Sequence, residues 1–238
     1  MAYKYKNYIF DLYGTLVDIH TDEEQPELWV KMAQKLLDEY GAEYTASGLR
    51  EKYLLACKEE TDALIEKTHA EYPEIQIENV WARLIENGIW DESHKVETDG
   101  SKVAGNRVNP DDLEGLCIFF REASRDKLCK YPDTDRLLTN LKSAGKKIFL
   151  LSNAQLFFTR KELEDVDIAK YFDDIFISSD NGVKKPQKEF MEKLLKKHGL
   201  NPTECVMIGN EVFSDGGVAK ANGVDYIFVQ DGDFSKII

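Results

Sequence analysis

The chain has 238 residues, 42% of them hydrophobic, which is enough to build one large domain or a core with a sizeable insertion. Its formal net charge of −13 repels nucleic-acid backbones and anionic membrane surfaces, and no block of consecutive basic residues offsets that charge. The chain shows no signal-peptide pattern, no apolar stretch near the roughly 20 residues that span a bilayer and no CxxC pair, so we expect a globular cytoplasmic protein without nucleic-acid or membrane partners.

The amino-terminal half combines one predicted strand with several predicted helices. The apolar segment from Tyr8 to Leu12 predicts a short buried strand that breaks at Gly14. Helical spacing of apolar residues then predicts helices over residues 27–40, 49–68 and 77–88, a polar loop over residues 91–110, and a further helix behind Asn109 and Pro110. Residues 21–127 are therefore predicted to be all-helical.

From Pro132 onward, predicted helices and strands alternate regularly. In chain order they are helix 134–144, strand 147–152, helix 158–166, strand 175–178, helix 186–198, strand 205–208, helix 213–222 and strand 226–229. Pro186 suits the first turn of its helix, and Gly145, Gly199 and Gly223 each follow a helix end. The alternation is typical of a parallel sheet covered by helices. We predict a doubly wound, Rossmann-like α/β core formed by residues 1–20 and 128–238, with residues 21–127 inserted as an all-helical cap.

Four polar segments lie at or near predicted strand ends. They are FDLYGTL with Asp11, LLSN with Ser152, KKP with Lys185, and MIGNEVFSD, which ends at Asp215. In open parallel sheets, ligands bind at the carboxyl ends of the strands. Together the segments supply a nucleophilic carboxylate, a hydroxyl group, a lysine and an acidic metal site, which outline a hydrolase active site.

These four segments, in this order, resemble the four motifs of the haloacid dehalogenase superfamily. The resemblance extends over the whole chain, and the helical insertion after FDLYGTL looks like one of the cap types of that family. Most members are phosphate-transferring hydrolases with a doubly wound core and a cap. The resemblance therefore implies a hydrolase that acts on a small phosphorylated molecule; it leaves monomer and homodimer open.

The resemblance also implies a role for most of the motif residues. Asp11 would attack phosphorus and form an aspartyl intermediate, with its charge masked by Mg²⁺ that also takes the backbone carbonyl of Tyr13. Ser152 would donate to a phosphoryl oxygen, and Asn153 would order the loop or the substrate. Lys185, which directly precedes the proline, would offset the charge on Asp11 and on the transferred group.

The remaining motif positions concern the loop after Asp11 and the metal. Gly14 and Thr15 belong to the predicted substrate-binding loop, where Thr15 is interpreted as holding the loop. The fourth motif of the family presents two acids four or five positions apart after a glycine. Here Asn210 follows Gly209, so the metal set includes Asp215 with either Glu211 or Asn210.

Tyr13 departs from the phosphatase pattern. Phosphatases of this family carry an aspartate two positions after the nucleophile, which protonates the leaving oxygen, and a tyrosine with an ordinary pKa near 10 replaces it poorly. The dehalogenases of the family carry DxYGT, yet their fourth motif differs from GNEVFSD and they have a tyrosine where Met191 lies. We predict a Mg²⁺-dependent phosphatase, with a metal-free 2-haloacid dehalogenase or a catalytically weak binding protein as alternatives.

Overall fold

The computed structural model describes residues 3–88 and 110–237. The chain divides into two compact units. The sheet unit comprises residues 1–20, 63–75 and 126–238, and the helical unit comprises residues 21–62 and 76–125. Apart from Pro110, the loop predicted at residues 91–110 lies outside the described residues. Residues 63–75 group with the sheet unit, and the boundaries that we give for the cap stay a prediction.

The regular elements follow one another along the chain as strands and helices. In chain order they are β1 (Asn7–Phe10), β2 (Val17–Thr21), α1 (Pro26–Tyr40), α2 (Ala46–Thr68), α3 (Ile77–Gly88), α4 (Pro110–Ser124), β3 (Arg125–Lys130), α5 (Thr134–Ser143), β4 (Lys147–Ser152), α6 (Leu156–Asp165), β5 (Asp174–Ile177), α7 (Lys188–His198), β6 (Cys205–Gly209), α8 (Gly217–Asn222) and β7 (Asp225–Phe228).

The sheet unit is built on five parallel strands in the order β5-β4-β1-β6-β7. The apolar runs in β1, β4 and β6 are buried because helices cover both faces. Leucines of α5 and α6 pack on one face of the sheet, and apolar residues of α7 and α8 pack on the other. This arrangement confirms the predicted doubly wound α/β fold.

Most predicted element boundaries lie within a few residues of the observed ones, and two helix starts are wrong. The glycines at positions 199 and 223 end α7 and α8 in the left-handed conformation, as expected for carboxyl-terminal caps. Pro186 lies before α7 rather than in its first turn, since α7 begins at Lys188. The helix predicted from Phe213 begins as a π-helical turn at Val212–Gly216, which is followed by the short α8.

The structure also contains a second, two-stranded sheet that the sequence pattern did not predict. It pairs β2 with β3 at the two ends of the span predicted to be all-helical. Both strands are short, and β3 has the sequence RDKLCK, in which no residue is fully buried. A short and largely exposed strand gives almost no hydrophobic alternation, so the pattern carried no signal for it.

The helical unit contains α1, most of α2, α3 and α4. Its core is a cluster of four aromatic side chains whose ring centroids lie 4.9–5.9 Å apart: Trp29, Tyr53, Trp81 and Phe120. The helical spacing of apolar residues that predicted α1 and α3 therefore corresponds to one buried face. Among the described residues, no helix has the length and apolarity needed to span a bilayer.

Candidate active site

The carboxyl ends of β1, β4 and β6 bring the first, second and fourth sequence segments to one edge of the sheet. Phe10 lies beside Leu150 on one side and Ile208 on the other, so the residues that follow these strands are neighbours. The backbone NH of Asp11 continues the ladder by donating to the carbonyl of Ile208 at 2.9 Å. Asp11 is thus held at the edge of the sheet, and only 7% of it is exposed.

Lys185 joins two buried carboxylates. Its Nζ lies 2.6 Å from Oδ1 of Asp11 and 2.7 Å from Oδ1 of Asp215, and all three residues are buried. Burial alone would lower the pKa of Lys185, but the charges of Asp11 and Asp215 outweigh burial and hold that pKa above its ordinary value. The structure therefore brings the predicted nucleophile, lysine and fourth-motif acid into direct contact.

Asp215 lies in an environment that disfavours its ionised form. Burial raises the pKa of Asp215 to about 6 against the attraction of Lys185, and the neighbouring charge of Asp11 adds to the rise. Its second oxygen, Oδ2, accepts the backbone NH of Glu211 at 3.0 Å. One lysine thus faces two carboxylates, and the centre carries excess negative charge when both are ionised.

The turn after Asp11 is closed by Gly14 and Thr15. Gly14 has φ +78°, and a Cβ there would lie 2.2 Å from Nδ2 of Asn210, so both the conformation and the close approach require glycine. Thr15 is fully buried, and its hydroxyl donates to Oδ2 of Asp11 at 3.1 Å. This contact fits the interpretation of Thr15 as a residue that holds the loop.

The second segment fixes the backbone of the third. The Asn153 side chain accepts the backbone NH of Lys185 at 2.8 Å and donates to the backbone carbonyl of Lys185 at 3.0 Å. Ser152, the last residue of β4, is fully buried, and its Oγ has no hydrogen-bond partner among the described residues. A buried hydroxyl without a partner is costly, and Ser152 does not line the cavity at this edge, so its contact with a phosphoryl oxygen stays a prediction.

The Tyr13 side chain is held by residues of α6 that the sequence did not single out. Its hydroxyl donates to the carboxylate of Glu162 and lies 3.1 Å from Oγ1 of Thr159. Glu162 is only 1% exposed, and Tyr13 packs against the apolar core beneath it. Almost 150 residues separate these partners in sequence, so no local pattern could have revealed the contact.

The polar residues of the fourth segment differ in their burial and in their hydrogen-bond partners. Asn210 accepts a long hydrogen bond from Thr15, at 3.4 Å, and packs against Gly14. Glu211 is exposed, and its carboxylate accepts the hydroxyl of Ser214 at 2.7 Å. Asp215 is therefore the fourth-segment acid that meets Asp11 through Lys185, whereas Glu211 lies at the surface of the same cavity.

The cavity at this edge has a volume of about 120 Å³. The residues that line it are Asp11, Tyr13, Asn153, Lys185, Asn210, Glu211, Ser214 and Asp215. Within the described part of the chain, no three histidine, cysteine or acidic side chains are grouped closely enough to form a metal cage. Mg²⁺ rarely needs one, because it is commonly bound by one or two carboxylates, water and a substrate phosphate. The paired carboxylates of Asp11 and Asp215 beside the amide oxygen of Asn210 fit such an ion.

A model of the haloacid dehalogenase-like hydrolases matches residues 5–223, which is most of the chain. The chain belongs to the haloacid dehalogenase-like hydrolase family. The resemblance based on the four segments is thereby confirmed. The chain is also similar in fold to a solved HAD phosphatase from Thermococcus onnurineus, with a TM-score of 0.54, 19% identity, and coverage of 94% of this chain and 86% of that one.

The sequence relatives include both phosphatases and a dehalogenase. A glyceraldehyde 3-phosphate phosphatase from Methanocaldococcus jannaschii is 31% identical over 57% of this chain and 60% of its own length. An (S)-2-haloacid dehalogenase 4A from Burkholderia cepacia is 23% identical over 89% of this chain and 78% of its own length. The chain matches about half the length of the first phosphatases to which it is similar. Family membership makes it a hydrolase, and the bond that it cleaves is a separate question.

Proposed function

We propose that this hydrolase cleaves the phosphate ester of a small metabolite by way of an aspartyl-phosphate on Asp11, with Mg²⁺ as its cofactor. The observation that carries the proposal is Asp215, which is 1% exposed and is joined to Asp11 by a single lysine. A second buried carboxylate at the nucleophile is costly unless a cation compensates it. A metal-assisted phosphate site uses such an acid to hold its cation.

Each residue in the centre has a defined task in this reaction. An oxygen of Asp11 forms a bond to phosphorus, the bond from phosphorus to the ester oxygen breaks, and its electron pair leaves with that oxygen. Water then attacks phosphorus, the phosphorus–Asp11 bond breaks, and the carboxylate is restored. The attacking water gives up a proton to solvent, and the leaving oxygen takes one up from solvent. Lys185 offsets charge on Asp11 and on the transferred group, and the unpartnered Oγ of Ser152 supplies a donor for a phosphoryl oxygen.

Magnesium would be held by Asp11, Asp215 and the backbone carbonyl of Tyr13, with Asn210 and Glu211 as the neighbouring oxygen donors. When bound, it neutralises charge on the phosphoryl oxygens. Asn210 is neutral and Glu211 is exposed, so Asp215 supplies the buried charge of the fourth segment.

Tyr13 shapes the choice of leaving group. Its phenol is a weaker acid than a carboxyl group, and its proton is already donated to Glu162, so Tyr13 does not protonate the leaving oxygen. General acid catalysis commonly accelerates such steps about 10²- to 10⁴-fold. We therefore expect phosphates with good leaving groups, such as aryl phosphates and the mixed anhydride acetyl phosphate, to react faster than alkyl phosphates.

A 2-haloacid dehalogenase is the second candidate. Two observations favour it: Tyr13 in the sequence DLYGT, and the 23% identity to the Burkholderia cepacia dehalogenase over 89% of this chain. Displacement of halide from carbon requires neither a proton for the leaving group nor a metal.

One pair of assays tests the proposal. The protein is freed of metal with a chelator, and its hydrolysis of p-nitrophenyl phosphate and acetyl phosphate is measured before and after Mg²⁺ is added. Chloride release from 2-chloropropionate is measured with the chelator present. Phosphate release that requires Mg²⁺ supports the proposal, and chloride release in chelator overturns it in favour of the dehalogenase. Binding of a phosphate ester without turnover of either substrate would favour a binding protein.

A further inference from the structure

The loop that carries Lys185 is bound on one side by a segment from a distant part of the sequence. Residues 72–75, which we call the clasp segment, connect α2 to α3 and belong to the sheet unit. The backbone NH of Lys184 donates to the carbonyl of Tyr72 at 3.0 Å, and the NH of Glu74 donates to the carbonyl of Gly182 at 3.2 Å. The two segments thus pair like a short antiparallel ladder just before Lys185.

The clasp segment also holds the loop beyond Lys185. The side-chain oxygen of Gln187 accepts the backbone NH of Tyr72 at 3.1 Å. Lys185 is therefore bracketed, because residues 184 and 187 on either side of it both bond to the same residue of the clasp segment. Asn153 binds the Lys185 backbone from the opposite direction.

Glu74 connects the clasp segment to the loops that follow β4 and β5. Its Oε2 accepts the hydroxyl of Ser178 at 3.0 Å, and Ser178 in turn accepts the backbone NH of Ala154 at 2.8 Å. Lys184 Nζ lies 3.8 Å from the same oxygen. Gln155 donates to the carbonyl of Ile75 at 3.0 Å, so the end of the clasp segment is fixed as well.

The carboxylate of Glu74 is largely buried rather than exposed at the surface of the loop. Its side chain is only 14% exposed, and burial raises its pKa despite the nearby Lys184 and the hydrogen bond from Ser178. A partly buried carboxylate is retained at a cost. Its contacts are Ser178, Lys184 and Gln155, whose Nε2 donates to Oε1 of Glu74 at 3.4 Å, and all three belong to the loops that position Asn153 and Lys185.

We propose that Glu74 is a positioning residue, which, through the clasp segment, holds Lys185 at Asp11 and Asp215. The geometric part of this inference concerns only where Lys185 lies. Its kinetic consequence rests on the proposed function, in which Lys185 offsets charge on the transferred group. Loss of the Glu74 carboxylate should loosen the 182–187 loop and let Nζ of Lys185 leave the two carboxylates for part of the time.

The test measures the chemical exposure of Lys185 directly. The protein is treated briefly with acetic anhydride, and acetylation of each lysine is quantified by mass spectrometry, with the exposed Lys188 as the internal reference. Lys185 of the unmodified protein should react slowly, since it is 3% exposed and bonded to two carboxylates. In Glu74→Ala we expect the rate of Lys185 acetylation relative to Lys188 to rise about tenfold, the effect expected when a hydrogen bond to a charged group is lost.

Matched variants separate positioning from general damage. Glu66→Ala removes an exposed carboxylate of α2 in the same unit and should leave Lys185 acetylation and hydrolysis unchanged. Glu74→Gln keeps an acceptor for Ser178 and should restore most of the protection. If Glu74→Ala fails to fold, Ser178→Ala removes the same hydrogen bond from the other side and should also raise acetylation of Lys185.

The outcomes distinguish this inference from the proposed function. Raised acetylation of Lys185 together with a lowered kcat for Mg²⁺-dependent phosphate release supports both. Raised acetylation in a protein that hydrolyses no phosphate ester supports the positioning role and contradicts the proposed function. Unchanged acetylation in folded Glu74→Ala and Ser178→Ala overturns the positioning role, whatever the activity.

Discussion

The two sides of Asp11 are built differently. On one side, Lys185 and Asp215 form a buried group of charges in which each carboxylate has an ionic partner. On the other side, Tyr13 turns its hydroxyl to Glu162 and Thr159 and brings no carboxylate to Asp11. In the proposed reaction, the first side serves the attack of Asp11 on phosphorus, and the second side holds a phenol where the resemblance implies an aspartate in phosphatases. Variants on the two sides should therefore affect different steps of that reaction.

The largest effect that we expect follows from removing the charge that both sides share. Asp11→Asn preserves the shape of the side chain but abolishes the nucleophile, so phosphate release should fall by about 10⁴-fold or more. Steady-state hydrolysis of p-nitrophenyl phosphate with Mg²⁺ measures the loss. The circular dichroism spectrum should stay unchanged. Retention of more than a tenth of the activity would remove Asp11 from the role of nucleophile.

The second-largest effect concerns only the side of Asp11 that is formed by Lys185 and Asp215. Lys185→Met leaves two buried carboxylates without their cation, which should lower the free energy of unfolding by about 3–5 kcal/mol. Urea denaturation without Mg²⁺ measures the change. Lys188→Met, an exposed control on the same stretch of chain, should change it by less than about 0.5 kcal/mol. Equal values for the two variants would show that the buried charges are not held by Lys185.

The third effect concerns Tyr13, which lies on the other side of Asp11. Tyr13→Asp places a carboxyl group where this chain has a phenol, and it should raise the Mg²⁺-dependent hydrolysis of alkyl phosphates by about 10²-fold. Aryl phosphates should gain much less, because their leaving groups need no proton. Tyr13→Asn serves as the control of similar size without an acid. An unchanged or lower rate with alkyl phosphates would show that position 13 is not where the acid is missing.

The smallest effect is the pH dependence of stability that Glu74 of the clasp segment contributes. Because burial raises the pKa of Glu74, its folded form binds a proton more readily than its unfolded form. The native protein should therefore gain stability relative to Glu74→Gln as the pH falls from 7 through that raised pKa, toward the ordinary value of about 4.5. The melting temperatures of the two proteins at several pH values give the difference, with the exposed Glu66→Gln as the control. A difference that does not change with pH would mean that Glu74 is not buried as a titrating acid.

The positions of polar residues at the strand ends could be predicted from the sequence, because the pattern that marks them is local. A short apolar strand followed by Asp11, Ser152 or Gly209 has a recognisable pattern, and the topology of a parallel sheet brings such ends to one edge. The family and the doubly wound fold followed from those segments and are confirmed.

The features that the sequence did not predict depend on backbone pairing and on contacts between residues far apart in the sequence. The ladder between residues 72–75 and 182–184 is formed by backbone groups, which every residue possesses, so it has no signature in side-chain pattern. The contact between Tyr13 and Glu162 depends on how α6 packs against the turn after β1. The two serines that follow β5 were the available hint, because polar residues directly after a buried strand point to the functional edge.

The central claim is that Asp11 attacks phosphorus, and trapping of the phosphorylated side chain tests it most directly. The protein is mixed with Mg²⁺ and acetyl phosphate, quenched in acid during the first turnover and reduced with borohydride, which converts an aspartyl phosphate to homoserine. We expect mass spectrometry to find homoserine at position 11, and we expect the same treatment of Asp11→Asn to leave that peptide unchanged. An Asp11 peptide that stays unmodified while phosphate is released, or ¹⁸O from labelled water in the carboxyl group of Asp11 when 2-chloropropionate is the substrate that turns over, would contradict the account.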